Sequence, residues 1–147
     1  MNYKMFYNHL TMFIVMFIIG ITLNPMNILI YDIQHIYVST TLIYSGLLMA
    51  SNMIWAHEII HYINYNTFNI VIFTFGLLLS FIFIILLRYQ IYIDDKNWLK
   101  RMITHHSTAL TTSEQILYKT ENDNVKELAH DIINAQEREI KLMKKLL

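Results

Sequence analysis

The feature that most constrains this chain is the separation of its apolar residues from its charged residues. Of 11 Lys and Arg residues only Lys4 precedes Arg88, and of 11 Asp and Glu residues only Asp32 and Glu58 precede Asp94. The first part of the chain therefore has the composition of a segment in lipid, and the remainder has the composition of a segment in water. The formal net charge is zero, so the composition supplies no basic surplus and predicts no nucleic-acid partner.

Three apolar runs in the first part are each long enough to cross a bilayer as a helix. They predict transmembrane spans over residues 6–24, 37–57 and 68–88, within a transmembrane region that covers residues 1–92. The first run ends at Asn24-Pro25 without a small-residue cleavage site, so we expect an uncleaved anchor. The protein is therefore predicted to be an integral, multi-pass membrane protein.

The charged part, residues 93–147, has the periodicity of two amphipathic helices. The first is predicted to begin at Asp94-Asp95 and end near Lys119, and a polar turn over residues 121–124 precedes the second. The predicted fold class is all-α: three transmembrane helices followed by an antiparallel helical hairpin. Two helices cannot hide an apolar face by themselves, so we expect a homodimer or larger homo-oligomer to complete a four-helix bundle.

Polar side chains interrupt the apolar stripe of each hairpin helix at the same level. His106 lies near the middle of the first stripe and His105 at its edge, while Gln136 and Glu139 interrupt the second. Buried polar groups are costly unless they pair, and besides a coincidence of polar positions two interpretations remain open. One is a metal-free network in which His106 bonds Glu139. The other is a metal site, with the candidate ligands His105, His106, Glu139, Met102 and Met143.

The donor types of this predicted site favour copper. Imidazole and carboxylate groups bind many divalent ions, whereas thioethers bias a site towards copper, so zinc and iron are the alternatives. Gln136 would hydrogen-bond the ligands. The chain contains no cysteine, which excludes thiolate ligands.

Two motifs follow each other in the hairpin: M-x-x-H-H over residues 102–106 and Q-x-x-E-I-x-x-M over residues 136–143. In these the hairpin resembles the domain-of-unknown-function 305 family, and the layout of three spans plus a hairpin resembles a short membrane-anchored branch of it. The resemblance implies a ferritin-like fold and an association with copper. Thr104 and Thr112 depart from it, at positions where proline and methionine are common.

A further motif lies at the end of the second predicted span. His57-Glu58-Ile-Ile-His61 fits H-E-x-x-H, in which two His bind zinc and Glu acts as a general base. Interfacial residues that finish a helix are one interpretation, and an intramembrane zinc metalloprotease is another. A third is a metal-entry or transport site built from His9, Met53, His57 and His61. No downstream motif supplies a third catalytic ligand, so we predict no catalytic residues and no enzyme.

The signals for orientation disagree. The cations after the third span favour a cytoplasmic hairpin by the positive-inside rule, whereas the resemblance and a copper site favour the exported side, which we predict. The leading hypothesis is a membrane-anchored protein that binds copper for sequestration or tolerance. The alternative is an assembly protein whose hairpin dimerises through a metal-free His–Glu core.

Overall fold

The computed structural model describes the backbone of residues 3–147 and the side chains from residue 7 onward. The side chain of Lys4, the one early cation, and that of residue 6, at which the first predicted span begins, lie outside the described part. The long helices are α1 (Tyr3–Thr22), α3 (Thr40–Tyr65), α4 (Ile70–Arg88), α5 (Asp95–Leu117) and α6 (Asp123–Leu146). A short α2 (Pro25–Ile28) and a 3-10 turn (Ile33–His35) lie between α1 and α3. The prediction of an all-α fold is confirmed for residues 3–147.

The chain divides into two compact units. The first unit comprises Met1–Leu23 and Thr40–Tyr92, and the second comprises Asn24–Ser39 and Ile93–Leu147. Residues 24–39, which the sequence analysis placed within the transmembrane region, therefore group with the C-terminal helices.

In the first unit α3 packs against both α1 and α4. Two segments, Tyr7–Ile28 and Ile70–Arg88, are long and apolar enough to cross a membrane by length and composition. The segment predicted as the second span does not meet this criterion of length and composition, because the serines, Asn52, His57 and Glu58 of α3 lower its mean hydropathy. The helix that contains it begins at Thr40 and ends at Tyr65, later at both ends than predicted.

Glycines allow the helices of the first unit to approach closely. A Cβ atom on Gly20 would lie 2.9 Å from the Cα of Gly46, across the contact of α1 with α3. A Cβ atom on Gly76 of α4 would lie 2.9 Å from the backbone nitrogen of Trp55 and 2.9 Å from Cγ2 of Ile54. Small residues at such contacts are a common packing device in apolar helices.

Replacement of Gly76 is expected to separate α3 from α4. Because the added methyl of Gly76→Ala meets backbone, the helices must shift, and overpacking of this kind costs about 1–3 kcal/mol. The measurement is thermal loss of helical circular dichroism from the full chain in detergent. Leu78→Ala, at a 58% exposed position of the same helix, is the control, and equal melting temperatures for the two variants would contradict the prediction.

In the second unit α5 and α6 pack against one another through a short connection. Asp94 caps α5 by accepting the backbone N–H of Asn97 at 2.8 Å, and Asn122 caps α6 in the same manner. Their apolar stripes form a core of five buried residues: Leu99, Ile103, Leu110, Ile140 and Met143.

The segment between α1 and α3 docks on α5 through a buried histidine. Nδ1 of His35 lies 2.9 Å from Oγ of Ser107, which also accepts the backbone N–H of Tyr31 at 3.0 Å. Thr104 donates its hydroxyl to the carbonyl oxygen of His35 at 2.9 Å. The Ser107 hydroxyl hydrogen is free to be donated to Nδ1, so this arrangement favours neutral His35.

The contacts of His35 predict a loss of stability in acid. Burial lowers the pKa of His35 below its ordinary value of 6.5, and the nearby cation of Lys144 lowers it further, while Asp32 opposes the shift. Above 6.5 both folded and unfolded chains hold the neutral ring. As the pH falls through 6.5 the unfolded chain binds the proton first, so the folded state is progressively destabilised.

We therefore expect the melting temperature to fall between about pH 7.5 and about pH 5.5, and to fall less in His35→Gln. Glutamine keeps an acceptor for the Ser107 hydroxyl but does not titrate. Comparison of the wild type with His35→Gln cancels the contribution of the other histidines to the pH dependence of the melting temperature. An identical pH dependence in both proteins would contradict the role of His35.

Candidate metal centre

A cluster of polar side chains lies in the first unit, where α1 meets α3. His9 is on the early part of α1, and His57 and Glu58 are on the last turns of α3. The short connection from α3 to α4 brings Asn69, the residue that caps α4, to the same place. The cluster therefore depends on three segments, of which α1 is distant in sequence from the other two.

Glu58 is the centre of the cluster and is only 3% exposed. Its Oε1 accepts a hydrogen bond from Nε2 of His9 at 3.0 Å and lies 3.8 Å from Nδ1 of His57. Its Oε2 accepts the backbone N–H of Asn69 at 3.0 Å. These bonds offset the cost of burying a carboxylate, and they hold both oxygens at defined positions.

His57 completes a set of three donors. One ligand atom from each of His9, His57 and Glu58 lies within 4.8 Å of the others. Nδ1 of His57 is buried and has no hydrogen-bond partner among the described residues. A buried nitrogen without a partner is uncommon, and this one lies 3.8 Å from Oε1 of Glu58.

The cluster borders a pocket of about 630 Å³. Besides the three donors, the lining includes Met12, His61, Tyr65 and Asn69. Two imidazoles and one carboxylate are a donor set that holds zinc, iron or copper, and a site with three protein ligands leaves a coordination position open. The pocket provides space for that position.

The structure uses the H-E-x-x-H residues differently from a zinc protease. His61, the second His of the motif, has its Nδ1 2.9 Å from the hydroxyl of Thr67, and its ring centre lies 5.9 Å from that of His57. The carboxylate of Glu58 accepts hydrogen bonds from His9 and Asn69, and one of its oxygens belongs to the set of close donor atoms. It is therefore poorly placed to act as a general base on a bound water.

The other members of the predicted membrane site have different positions. His9 and His57 come together as the sequence analysis expected, and His61 lines the same pocket. Met53 is half-buried and does not line it, whereas Met12 does. Met12 was missed, although it lies three residues after His9 and hence on the same helical face.

In the second unit the predicted hairpin ligands are only partly brought together. Nδ1 of His106 lies 3.0 Å from Oε2 of Glu139 but outside hydrogen-bond alignment, so Nδ1 has no hydrogen-bond partner among the described residues. His105 is exposed, and its ring centre lies 6.0 Å from that of His106. Within residues 7–147, His105, His106 and Glu139 do not form a group of close donor atoms as the first-unit cluster does.

The remaining residues predicted for the hairpin site contribute to its interior. Met143 is buried in the core of the second unit, Met102 packs against that core, and Gln136 is half-buried. Within residues 7–147 these side chains do not come together as the copper site that the family resemblance implies. The hairpin ligand set stays a prediction.

The comparisons with known proteins concern the C-terminal part of the chain. Residues 89–147 match the model of the family described as Domain of unknown function (DUF305). This supports the family resemblance of the hairpin, and it leaves His9, His57 and Glu58 outside the matched segment.

One curated relative is Uncharacterized protein L153 of Acanthamoeba polyphaga mimivirus. It is 46% identical over 61 residues, which cover 42% of this chain and 40% of the relative. The chain thus spans about two-fifths of the length of the curated relative that it matches. No solved structure matches the chain with significance.

Proposed function

We propose that this is a membrane-anchored protein that binds a transition-metal ion through His9, His57 and Glu58. The observation that supports it most is the convergence of three donor atoms within 4.8 Å, in a pocket, with Nδ1 of His57 left without a hydrogen-bond partner. A cation bound there would use the free nitrogen and would balance the buried carboxylate.

We further propose that α3 crosses the membrane as a third span between α1 and α4. Its contacts with both of these helices shelter it, so it can carry more polar groups than a span that faces lipid. Ser45 and Ser51 donate their hydroxyls to carbonyl oxygens one turn earlier, at 2.9 Å and 2.7 Å. The protein would then be multi-pass, with the hairpin on the exported side as the sequence analysis predicts.

Copper is the metal that we propose first, with zinc or iron as alternatives. A site of nitrogen and oxygen donors binds divalent copper more tightly than the other first-row ions, and the thioether of Met12 lines the pocket. Three ligands with an open position suit uptake and release better than a closed structural site does. Sequestration or tolerance is the role that follows, rather than catalysis.

The test is a metal titration of the full chain in detergent with copper and then zinc. We expect one ion per chain, and His57→Ala should weaken its binding at least about 100-fold, because loss of a ligand exceeds the 10–100-fold effect of losing an outer hydrogen-bond partner. Unchanged affinity in His57→Ala would exclude the proposed site.

The matched control is a double variant in the second unit, His105→Ala with His106→Ala. If the metal is held by the first-unit cluster, this control keeps its affinity. If it loses the ion while His57→Ala retains it, the metal belongs to the hairpin, as the family resemblance implies. The two variants therefore separate the sites within one chain.

A second candidate function is assembly without a metal. The 3.0 Å approach of His106 to Glu139 supports it, because this contact supplies a polar pair for a hairpin interface. The Glu139 side chain is 44% exposed, so its carboxylate stays hydrated when His106→Leu removes its partner, and this variant should keep its stability. If His106→Leu has the same oligomeric state as the wild type, and the wild type binds no metal, this function is favoured over the first.

A further inference from the structure

The outer face of α6 carries a second apolar stripe that its packing against α5 leaves uncovered. Leu128, Ala135 and Leu142 are spaced by seven residues, and Leu146 follows one turn later. The three leucines are 59%, 57% and 65% exposed in chain order. This stripe is separate from the buried stripe that contains Ala129, Ile140 and Met143. Apolar residues that recur every seven positions lie along one side of a helix and can form part of a seam by which two helices pair.

Charged residues on one flank of this stripe have opposite signs in its two halves. Asp131, Arg138 and Lys145 form one row with the same seven-residue spacing, and all three are exposed. A neighbouring exposed row contains Glu127 and Lys141. Both rows are therefore acidic in the first half of α6 and basic in the second half.

Asp131 and Arg138 form no ion pair within the described part of the chain. The order of the charges decides what the stripe can pair with. A parallel copy of α6 would place like charges at the same level, which is unfavourable. An antiparallel copy would place the acidic half against the basic half.

We propose that the outer stripe of α6 binds the α6 helix of a second copy of this chain, antiparallel and centred on Ala135. In this register Leu128 lies level with Leu142 of the partner subunit, and Asp131 lies within one residue of the level of Arg138 of the partner subunit. The twofold symmetry repeats both contacts. The small side chain of Ala135 at the crossing lets the two helices approach closely.

Charge reversal tests the register. Asp131→Arg or Arg138→Asp in the full chain should each weaken dimerisation about tenfold, because each places two like-charged pairs across the interface. The double variant restores opposite charges between the copies and should recover the wild-type dissociation constant. Analytical ultracentrifugation in detergent gives the constants. Single variants without effect, or a double variant as weak as the singles, would overturn the proposal.

The absence of cysteine from the chain permits a second, independent test by crosslinking. Ala135→Cys should form a disulfide with its own copy under mild oxidation, whereas His130→Cys, exposed on another side of α6, should not. If the leucines instead rest on lipid, Ala135→Cys stays reduced, and a polar replacement of Leu142 lowers vesicle association without changing the mass. That outcome would also overturn the proposal.

Discussion

Glu58→Gln is expected to weaken metal binding at least about 100-fold, roughly 3 kcal/mol, while the chain remains folded. Glutamine keeps the shape of glutamate but loses the negative charge, and its amide oxygen is a weaker ligand for copper or zinc. One of the two hydrogen bonds that Glu58 accepts, from His9 or from Asn69, is also lost. That loss costs stability only about 1 kcal/mol.

The same variant separates a ligand from a general base. In a zinc protease of the H-E-x-x-H kind the two His hold the ion, so replacement of the glutamate would leave the metal bound and remove only the activity. Retention of wild-type metal affinity in Glu58→Gln would therefore return the protease interpretation to consideration. Glu121→Gln, in the exposed turn before α6, is the matched control, and we expect it to bind metal as the wild type does.

The second large effect concerns the core of the second unit. Ile103 of α5 is fully buried, at 0% exposure, and Ile103→Ala removes side-chain carbons from a core that cannot collapse completely. Such truncations cost about 2–5 kcal/mol of unfolding free energy. The measurement is denaturation of the full chain, followed through helical circular dichroism.

Ile116→Ala is the matched control for this truncation, because Ile116 is on the same helix but 40% exposed. Its loss should cost much less than that of Ile103, since solvent fills the vacated space. Similar costs for the two variants would mean that the two positions are not buried as the structure describes.

Much of the fold is predictable because the relevant signals are local. The caps at Asp94 and Asn122 need only a polar side chain at a helix start. The helix α5 begins where Asp94 predicts, whereas α6 begins at Asp123, inside the predicted turn. The apolar runs at α1 and α4 are recognisable from composition alone. The helix α3 is harder to recognise as a span. Its polar residues pack against α1 and α4, and a hydropathy average takes no account of such contacts.

The candidate metal site was predictable only in part. His57, Glu58 and His61 form a visible motif, and His9 was chosen because it lies at the start of the first predicted span. The role of Glu58 was not visible, because it depends on the approach of Asn69 and on the orientation of the carboxylate. His35 was missed for the same reason: nothing in its local sequence shows that it docks on Ser107.

The sequence by itself determined the all-α class, the candidate apolar spans and the amphipathic C-terminal helices, since periodicity and composition act over a few turns. Only the tertiary structure decided that the imidazole of His9 meets the carboxylate of Glu58. His9 and Glu58 are 49 residues apart in sequence, and their contact requires two helices to pack at one particular rotation. The tertiary structure likewise decided that residues 24–39 belong with the C-terminal helices, because that grouping rests on contacts between segments about 70 residues apart.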